Sequence, residues 1–127
     1  MELAPEYNRL SGIIVDSALS VHRALGPGLL ESVYEECLTY ELRGRGLTVD
    51  RQLSLPVVYR GARIDAGFRL DLVVEDLIII EIKAAERLLP IHEAQLLTYL
   101  KLSERRLGLL INFNVAVIKD GIRRIVL

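Results

Sequence analysis

The stretch "LIIIEIK", residues 77–83, decides how this chain folds. Four consecutive apolar residues, three of them isoleucine, predict a strand covered on both faces. Side chains alternate along a strand, so Ile78, Ile80 and Ile82 share one face, while Leu77, Ile79, Glu81 and Lys83 share the other. One face is apolar throughout. The opposite face turns from apolar to ionic toward the carboxyl end, as expected of a site placed at a strand end.

The segment before it carries a third charge of interest. From Ile64 the pattern alternates, with Ile64, Ala66, Phe68, Leu70, Leu72 and Val74 on one side and Arg63, Asp65, Arg69 and Asp71 on the other. The connecting loop sets the register. A two-residue loop, Glu75-Asp76, turns Asp71 and Glu81 to opposite faces. A three-residue loop, 75–77, or an equivalent bulge, sets Asp71 opposite Glu81 and Val73 opposite Ile79. It also aligns Leu70, Leu72 and Val74 with Ile82, Ile80 and Ile78, so this register is the expected one.

Outward from this pair, Leu10, Ile13, Ile14, Ala18, Val21 and Leu25 recur at helical spacing, predicting an amphipathic helix over about 6–25 that stops at "GPG", 26–28. A second helix follows with Leu30, Val33, Tyr34, Cys37, Leu38 and Leu42 as its buried stripe, ending at "GRG", 44–46. Residues 48–60 read as one or two strands, with Pro56 marking an edge or bulge. Pro90 suits the first turn of a helix running to about Ser103. "LGLLINF", 107–113, is a buried strand, and "VAVIKDGIRRIVL" closes with a hairpin around Asp120-Gly121. The order predicts an α+β sandwich of helices on a mixed sheet.

The 127 residues suit a single domain, 1–127, and the 51 % hydrophobic and 26 % charged content suits a folded globular chain. No apolar run approaches the roughly 20 residues that cross a bilayer, so no membrane partner is expected. The start "MELAPEYNRL" has no apolar signal core, and the lone Cys37 fits a reducing, cytoplasmic setting. The net charge of −1 is not that of a strongly basic nucleic-acid binder. Arginines nevertheless crowd one third of the chain, at 43, 45, 51, 60, 63 and 69, and their planar fork suits phosphate as well as solvent.

Two facing carboxylates raise one another's pKa unless a cation joins them. A hard divalent ion, which takes oxygen ligands and often only one or two protein carboxylates, resolves the conflict. Lys83, one pleat repeat beyond Glu81, can then act on a water or steady a phosphate's developing charge. The same residues also allow a plain Glu81–Lys83 ion pair with Asp71 solvated. Glu31 falls in the first turn of the second helix, where it complements the positive helix end or serves as a further acidic ligand. On the third helix Ile91, Ala94, Gln95, Thr98, Tyr99 and Leu102 share a face expected to pack inward, so Gln95 and Tyr99 need polar partners there. His22 and His92 are candidates for supporting roles, with surface or capping roles as the alternative.

With those residues on the page, the chain resembles the GxxExxY family of the PD-(D/E)xK nuclease-like superfamily. The motif stands as Gly28-Leu29-Leu30-Glu31-Ser32-Val33-Tyr34 and continues through "RLDLVVED", "IIIEIKA", "IHEAQLLTYLK" and "GLLINF". The resemblance implies a restriction-endonuclease-like core of helix, three strands, helix and strand, with an extra N-terminal helix and a C-terminal hairpin. It implies Asp71 and Glu81 as ligands of Mg²⁺ or Mn²⁺, Lys83 as the catalytic lysine, and Glu31 as the acidic residue of the first core helix. Gln95 and Tyr99 match a Gln-x-x-x-Tyr helix motif of exonuclease-like branches, while Leu70 stands where the motif's proline often precedes the aspartate.

Three functions are open at this point. The first is a metal-dependent nuclease that cleaves nucleic acid, DNA before RNA, by direct attack of metal-activated water. The second is a non-catalytic nucleic-acid or protein-interaction module of the same fold, and the third a structural homodimer using the terminal hairpin. A bare catalytic core of this size is expected to need a homodimer or an accessory partner to hold its substrate.

Overall fold

The computed structural model describes residues 3–127, so the first two residues of the "MELAPEYNRL" opening lie outside it. Helix α1 (Pro5–Leu25) starts on Pro5, with Glu6 complementing its positive end, and buries Leu10, Ile14, Ala18 and Val21. Gly26, at φ 70°, stops it by donating its N–H to the His22 carbonyl. Helix α2 (Glu31–Gly44) buries Tyr34, Leu38 and Leu42. Leu30 and Val33 are exposed rather than buried, because the helix begins at Glu31 and leaves Leu30 as its cap.

The strands are β1 (Val49–Ser54), β2 (Val57–Tyr59), β3 (Ala62–Ile64), β4 (Arg69–Val74), β5 (Ile78–Lys83), β6 (Leu107–Asn112) and β7 (Ile122–Val126), with α3 (Pro90–Ser103) between β5 and β6. Five of them form one sheet in the order β1-β4-β5-β6-β7, and β2 and β3 pair as a separate ribbon. Only β5 and β6 run parallel within the larger sheet, which is why a helix has to cross between them. Leu72, Val74, Ile78, Ile80 and Ile82 pack with α1 and α2 on one face. Val73, Ile79 and Leu110 pack with Leu96 and Leu100 of α3 on the other. The predicted α+β sandwich, with its helix–strand–strand–strand–helix–strand core, is the one found.

The deciding register is also present. Val74 pairs with Ile78, Val73 with Ile79 and Leu72 with Ile80, so the loop is 75–77. Glu75 and Asp76 turn it in the left-handed region, at φ 52° and 57°.

Four expectations need correction. The alternation from Ile64 is not one strand: 65–68 is irregular around Gly67, at φ 79°, and β3 turns away to pair with β2. Leu70 therefore joins the α3-side cluster with Leu55 rather than the face of Leu72 and Val74. On α3 the buried residues are Leu96 and Leu100, so Ile91, Ala94, Gln95 and Thr98 lie exposed and Tyr99 half-buried. At the C-terminus the antiparallel partner of β7 is β6, and Asp120-Gly121 ends a 3-10 turn, Ile118–Gly121, instead of a tight hairpin.

Two contacts set where the site's framing helices lie. Gly108 of β6 faces Leu96: a Cβ there would stand 2.8 Å from Leu96 Cδ1 and 2.9 Å from its Cγ. The Tyr34 hydroxyl donates to the Gly26 carbonyl at 2.5 Å and accepts the Leu29 N–H at 3.1 Å, fastening the Gly-Pro-Gly loop to α2. Its ring stacks on Phe113 with centroids 4.6 Å apart.

Gly108→Ala is expected to lower stability by about 1–3 kcal/mol through overpacking. Gly12→Ala, in the open interior of α1 with nothing within 4 Å, should raise it by about 0.5–1 kcal/mol. Denaturant midpoints of the two variants read both signs. Tyr34→Phe keeps the ring stack but strands two backbone groups, for a loss of about 1–3 kcal/mol in the same measurement.

Candidate active site

The paired residues of β4 and β5 stop at Leu72 and Ile80, although the strands continue back to Arg69 and on to Lys83. Beyond that point the carboxylates of the two strands take over the bonding. The Asp71 N–H donates to Glu81 Oε2 at 3.3 Å, and the Ile82 N–H donates to Asp71 Oδ2 at 2.8 Å. Each acid thus accepts a backbone donor of the opposite strand and is drawn into the gap. Backbone N–H groups this deep must find acceptors, and here the acids supply them.

Burial and like charge act on the same group. Glu81 is only 7 % exposed, while Asp71 is half-buried. Burial first, then the carboxyl–carboxyl hydrogen bond with Asp71 and Asp71's charge, push the Glu81 carboxyl from 4.5 up to about 9. The Asp71 N–H and the Lys83 ammonium pull the other way and do not prevail. Tyr99 is raised as well, by its own burial and then by the Glu81 and Asp71 charges.

Lys83 is half-buried at the end of β5, and its carbonyl accepts the Phe113 N–H at 3.0 Å. Among the described residues no ion pair ties its ammonium to Glu81, and Asp71 is not free in solvent. The plain ion-pair alternative is therefore not the arrangement adopted. The chain after Lys83 is clamped by buried Asn112, whose Nδ2 donates to the Ala85 carbonyl at 2.9 Å and whose Oδ1 accepts the Ala85 N–H at 3.1 Å.

A cavity of about 150 Å³ opens over these groups, lined by Glu31, Arg69, Asp71, Glu81, Lys83, His92, Gln95 and Tyr99 with Leu96 and Leu110 behind. Seven of the eight candidate residues from the sequence are thus brought together: Asp71, Glu81, Lys83, Glu31, Gln95, Tyr99 and His92. The eighth, His22, is not. It is buried in α1, and its Nε2 bonds the Val115 carbonyl at 2.8 Å, tying that helix to the segment after β6. His92 caps α3, its Nδ1 accepting the Leu89 N–H at 3.0 Å, which leaves the neutral ring's proton on Nε2.

Three residues that shape the site are not among the candidates read for it from the sequence, although Arg69 stands with the phosphate-suited arginines and Tyr34 in the helix stripe and motif. Arg69 lines the cavity, Tyr34 holds the loop before Glu31, and Asn112 fixes the chain after Lys83. For Asn112 a signal existed: one amide closing an otherwise apolar run.

Among the described residues no group of three His, Cys, Asp or Glu lies close enough to hold a metal ion. Asp71 and Glu81 are the pair able to do so, and Glu31 lines the same cavity without joining their cluster. Two carboxylate donors fit a hard ion that keeps several waters, and they do not fit the nitrogen- and sulfur-rich sets that zinc favours.

The sequence model of the PD-(D/E)XK nuclease superfamily matches residues 8–125. No curated protein and no solved structure matches the chain. Nucleases of the superfamily generally use divalent metal ions. The matched span takes in both parted strands, the helices that frame them and the parallel strand behind, so the chain belongs to the PD-(D/E)XK nuclease superfamily.

Proposed function

We propose that the protein is a Mg²⁺- or Mn²⁺-dependent nuclease that hydrolyses phosphodiester bonds, DNA in preference to RNA. The observation that carries this reading is the meeting of Asp71 and Glu81 in the gap between β4 and β5, with the Lys83 ammonium beside them in no ion pair among the described residues. Asp71 and Glu81 are the protein ligands, and Glu31 contributes a further acid directly or through water. When bound, the ion supplies the Lewis acidity that activates water and offsets charge on the phosphate.

The chain's own groups do the rest. Lys83 steadies negative charge as it develops on the phosphate. Gln95 and Tyr99 contact the substrate from α3, and His92 offers its Nε2–H at the cavity wall. The Gly28-x-x-Glu31-x-x-Tyr34 motif gains a physical sense that supports assignment to the GxxExxY family. Gly28 turns the chain at φ 97°, Tyr34 fastens the turn, and Glu31 between them faces the site. Half-buried, unpaired Cys37 suits a cytoplasmic setting.

One observation favours a second reading, a non-catalytic nucleic-acid or protein-interaction module. Among the described residues the acids form a pair and not a group of three, which limits how tightly an ion is held without substrate.

The test is incubation with plasmid, single-stranded DNA and RNA in Mg²⁺, Mn²⁺ or EDTA, beside Glu81→Ala and Lys83→Ala. Cleavage should require the ion and fall about 100- to 1000-fold in either variant. Cleavage that survives both substitutions, or none in any ion, defeats the nuclease reading.

The raised Glu81 pKa also fixes the sign of a stability effect. Between 4.5 and about 9 the unfolded chain ionises Glu81 while the fold keeps its proton, so the unfolded state binds fewer protons and stability falls as pH rises. Asp71, Lys83 and Tyr99 are the groups that face it. Melting temperatures of the ion-free protein should decline across that window, and Glu81→Gln should flatten the slope. Added Mn²⁺ should stabilise the native protein more at the alkaline end, where fewer protons compete for Glu81.

A further inference from the structure

Beside the acid cavity lies a second groove of about 230 Å³, lined by Phe68, Ile91, Ala94, Gln95, Thr98 and Tyr99. It shares Gln95 and Tyr99 with the cavity, so the two lie side by side on α3. Its apolar side chains are left open: Phe68 is 43 % and Ile91 59 % exposed. Phe68 and Tyr99 stand with ring centroids 6.2 Å apart and planes at 53°, tilted rather than stacked. The core pair Tyr34–Phe113, by contrast, stacks at 9°. The polar edge of the groove is also unspent. Among the described residues the Gln95 amide has no protein hydrogen bond, and the Thr98 hydroxyl, donating to the Ala94 carbonyl, keeps its lone pairs.

Resting on the nuclease reading, we infer that this groove seats an unpaired nucleobase of the nucleotide beside the phosphate to be cleaved, and that the substrate is therefore single-stranded at the site. Open ring faces with a small polar edge bind any base by stacking. A base inside a duplex has both faces covered by its neighbours and cannot enter such a groove without being flipped out. The charge distribution points the same way. Arg43, Arg45 and Arg51 are exposed but each is tied to a neighbour, by the Val49 carbonyl, by Asp16 and Glu41, and by Glu35. Of the six clustered arginines only Arg69 lines the cavity, while Arg60 and Arg63 belong to the β2–β3 ribbon and Arg63 pairs with Asp65, so this cluster does not supply the row of phosphate contacts that holds a duplex.

The test is anisotropy of fluorescein-labelled oligo-dT and oligo-rU in EDTA at low salt, each intact, as a duplex, and with abasic spacers replacing its bases. Either intact single strand should bind roughly 5- to 100-fold tighter than its abasic counterpart and tighter than its duplex. Which sugar binds better then identifies DNA or RNA as the source of the base. Phe68→Ala should erase the intact-to-abasic difference, and Phe68→Tyr should keep it. Unchanged melting temperatures show that both variants fold, as the exposure of Phe68 leads one to expect. Equal binding of intact and abasic strands, preference for duplex, no binding at all, or full discrimination by Phe68→Ala each overturns the inference. The two readings fail separately. Ion-dependent cleavage without base discrimination sinks the groove alone, whereas base-dependent binding with no cleavage in any ion sinks the nuclease reading and leaves the groove standing.

Discussion

Asp71 and Glu81 meet where β4 and β5 part, and the site depends on how the fold tolerates that meeting. Withdrawing a carboxylate from water is costly unless hydrogen bonds or a counter-charge replace the solvent. Two backbone N–H groups replace part of it, one for each acid. The remainder is met by a proton, since burial and Asp71 hold the Glu81 carboxyl far above its ordinary range. A protonated Glu81 carries no charge to repel Asp71, which eases the close approach of the two acids. Lys83 is near enough to lower the Glu81 pKa, yet not enough to reverse its rise.

Such an arrangement survives only if the surroundings leave the acids no way apart. The sheet does most of this, with Ile79 between the α3 cluster and its pair Val73, and Ile80 and Ile82 sunk in the larger core. Asn112 and Phe113 then hold the chain on either side of Lys83's exit, so the lysine cannot drift with the loop after it. Gly108 lets α3 lie against the sheet, which brings Gln95 and Tyr99 over the acids. Tyr34 does the same for Glu31 from the other side, through a loop that makes little packing of its own. The chemistry is carried by few residues, while its geometry is set by buried neighbours that never touch the cavity.

What could be read from the residues, and what could not, follows from the same distinction. The register of β4 on β5 was legible because one apolar face admits only one loop length, and a slip by one residue would bury Asp71. The face of α3 was not. Its apolar residues, Ile91, Ala94, Leu96, Leu97, Leu100 and Leu102, surround the helix, so periodicity alone leaves the inward side undecided. The choice is made by Gly108, seventeen positions after Ile91 in sequence and on a different element, which opens room for Leu96. The break at 65–68 was hidden in the same manner, because Ile64 and Phe68 keep the alternation of a strand although Gly67 turns the backbone out of it. His22 shows the opposite error: its bond to Val115 spans 93 positions, a distance over which local pattern carries no information.

The near-neutral charge of the chain reads differently once the arginines are placed. Counted along the sequence, six in one third suggest a phosphate-binding surface. In the fold, three of them are consumed in joining α2 to α1 and to β1, where Glu35, itself buried, takes both Arg51 and Gln52. The others, Arg60, Arg63 and Arg69, run from the β2–β3 ribbon toward the start of β4, the end of the sheet at which Asp71 stands. Arg60 lies 5.4 Å from the centre of the Tyr59 ring, and Arg63 contacts Asp65, so even these are partly engaged. Electrostatic attraction spread along a polyanion is weak for such a surface, and the counterion release that dominates many nucleic-acid complexes is correspondingly small. Under the proposed function, contacts at the acid pair therefore have to supply a larger share of recognition than they would on a basic surface.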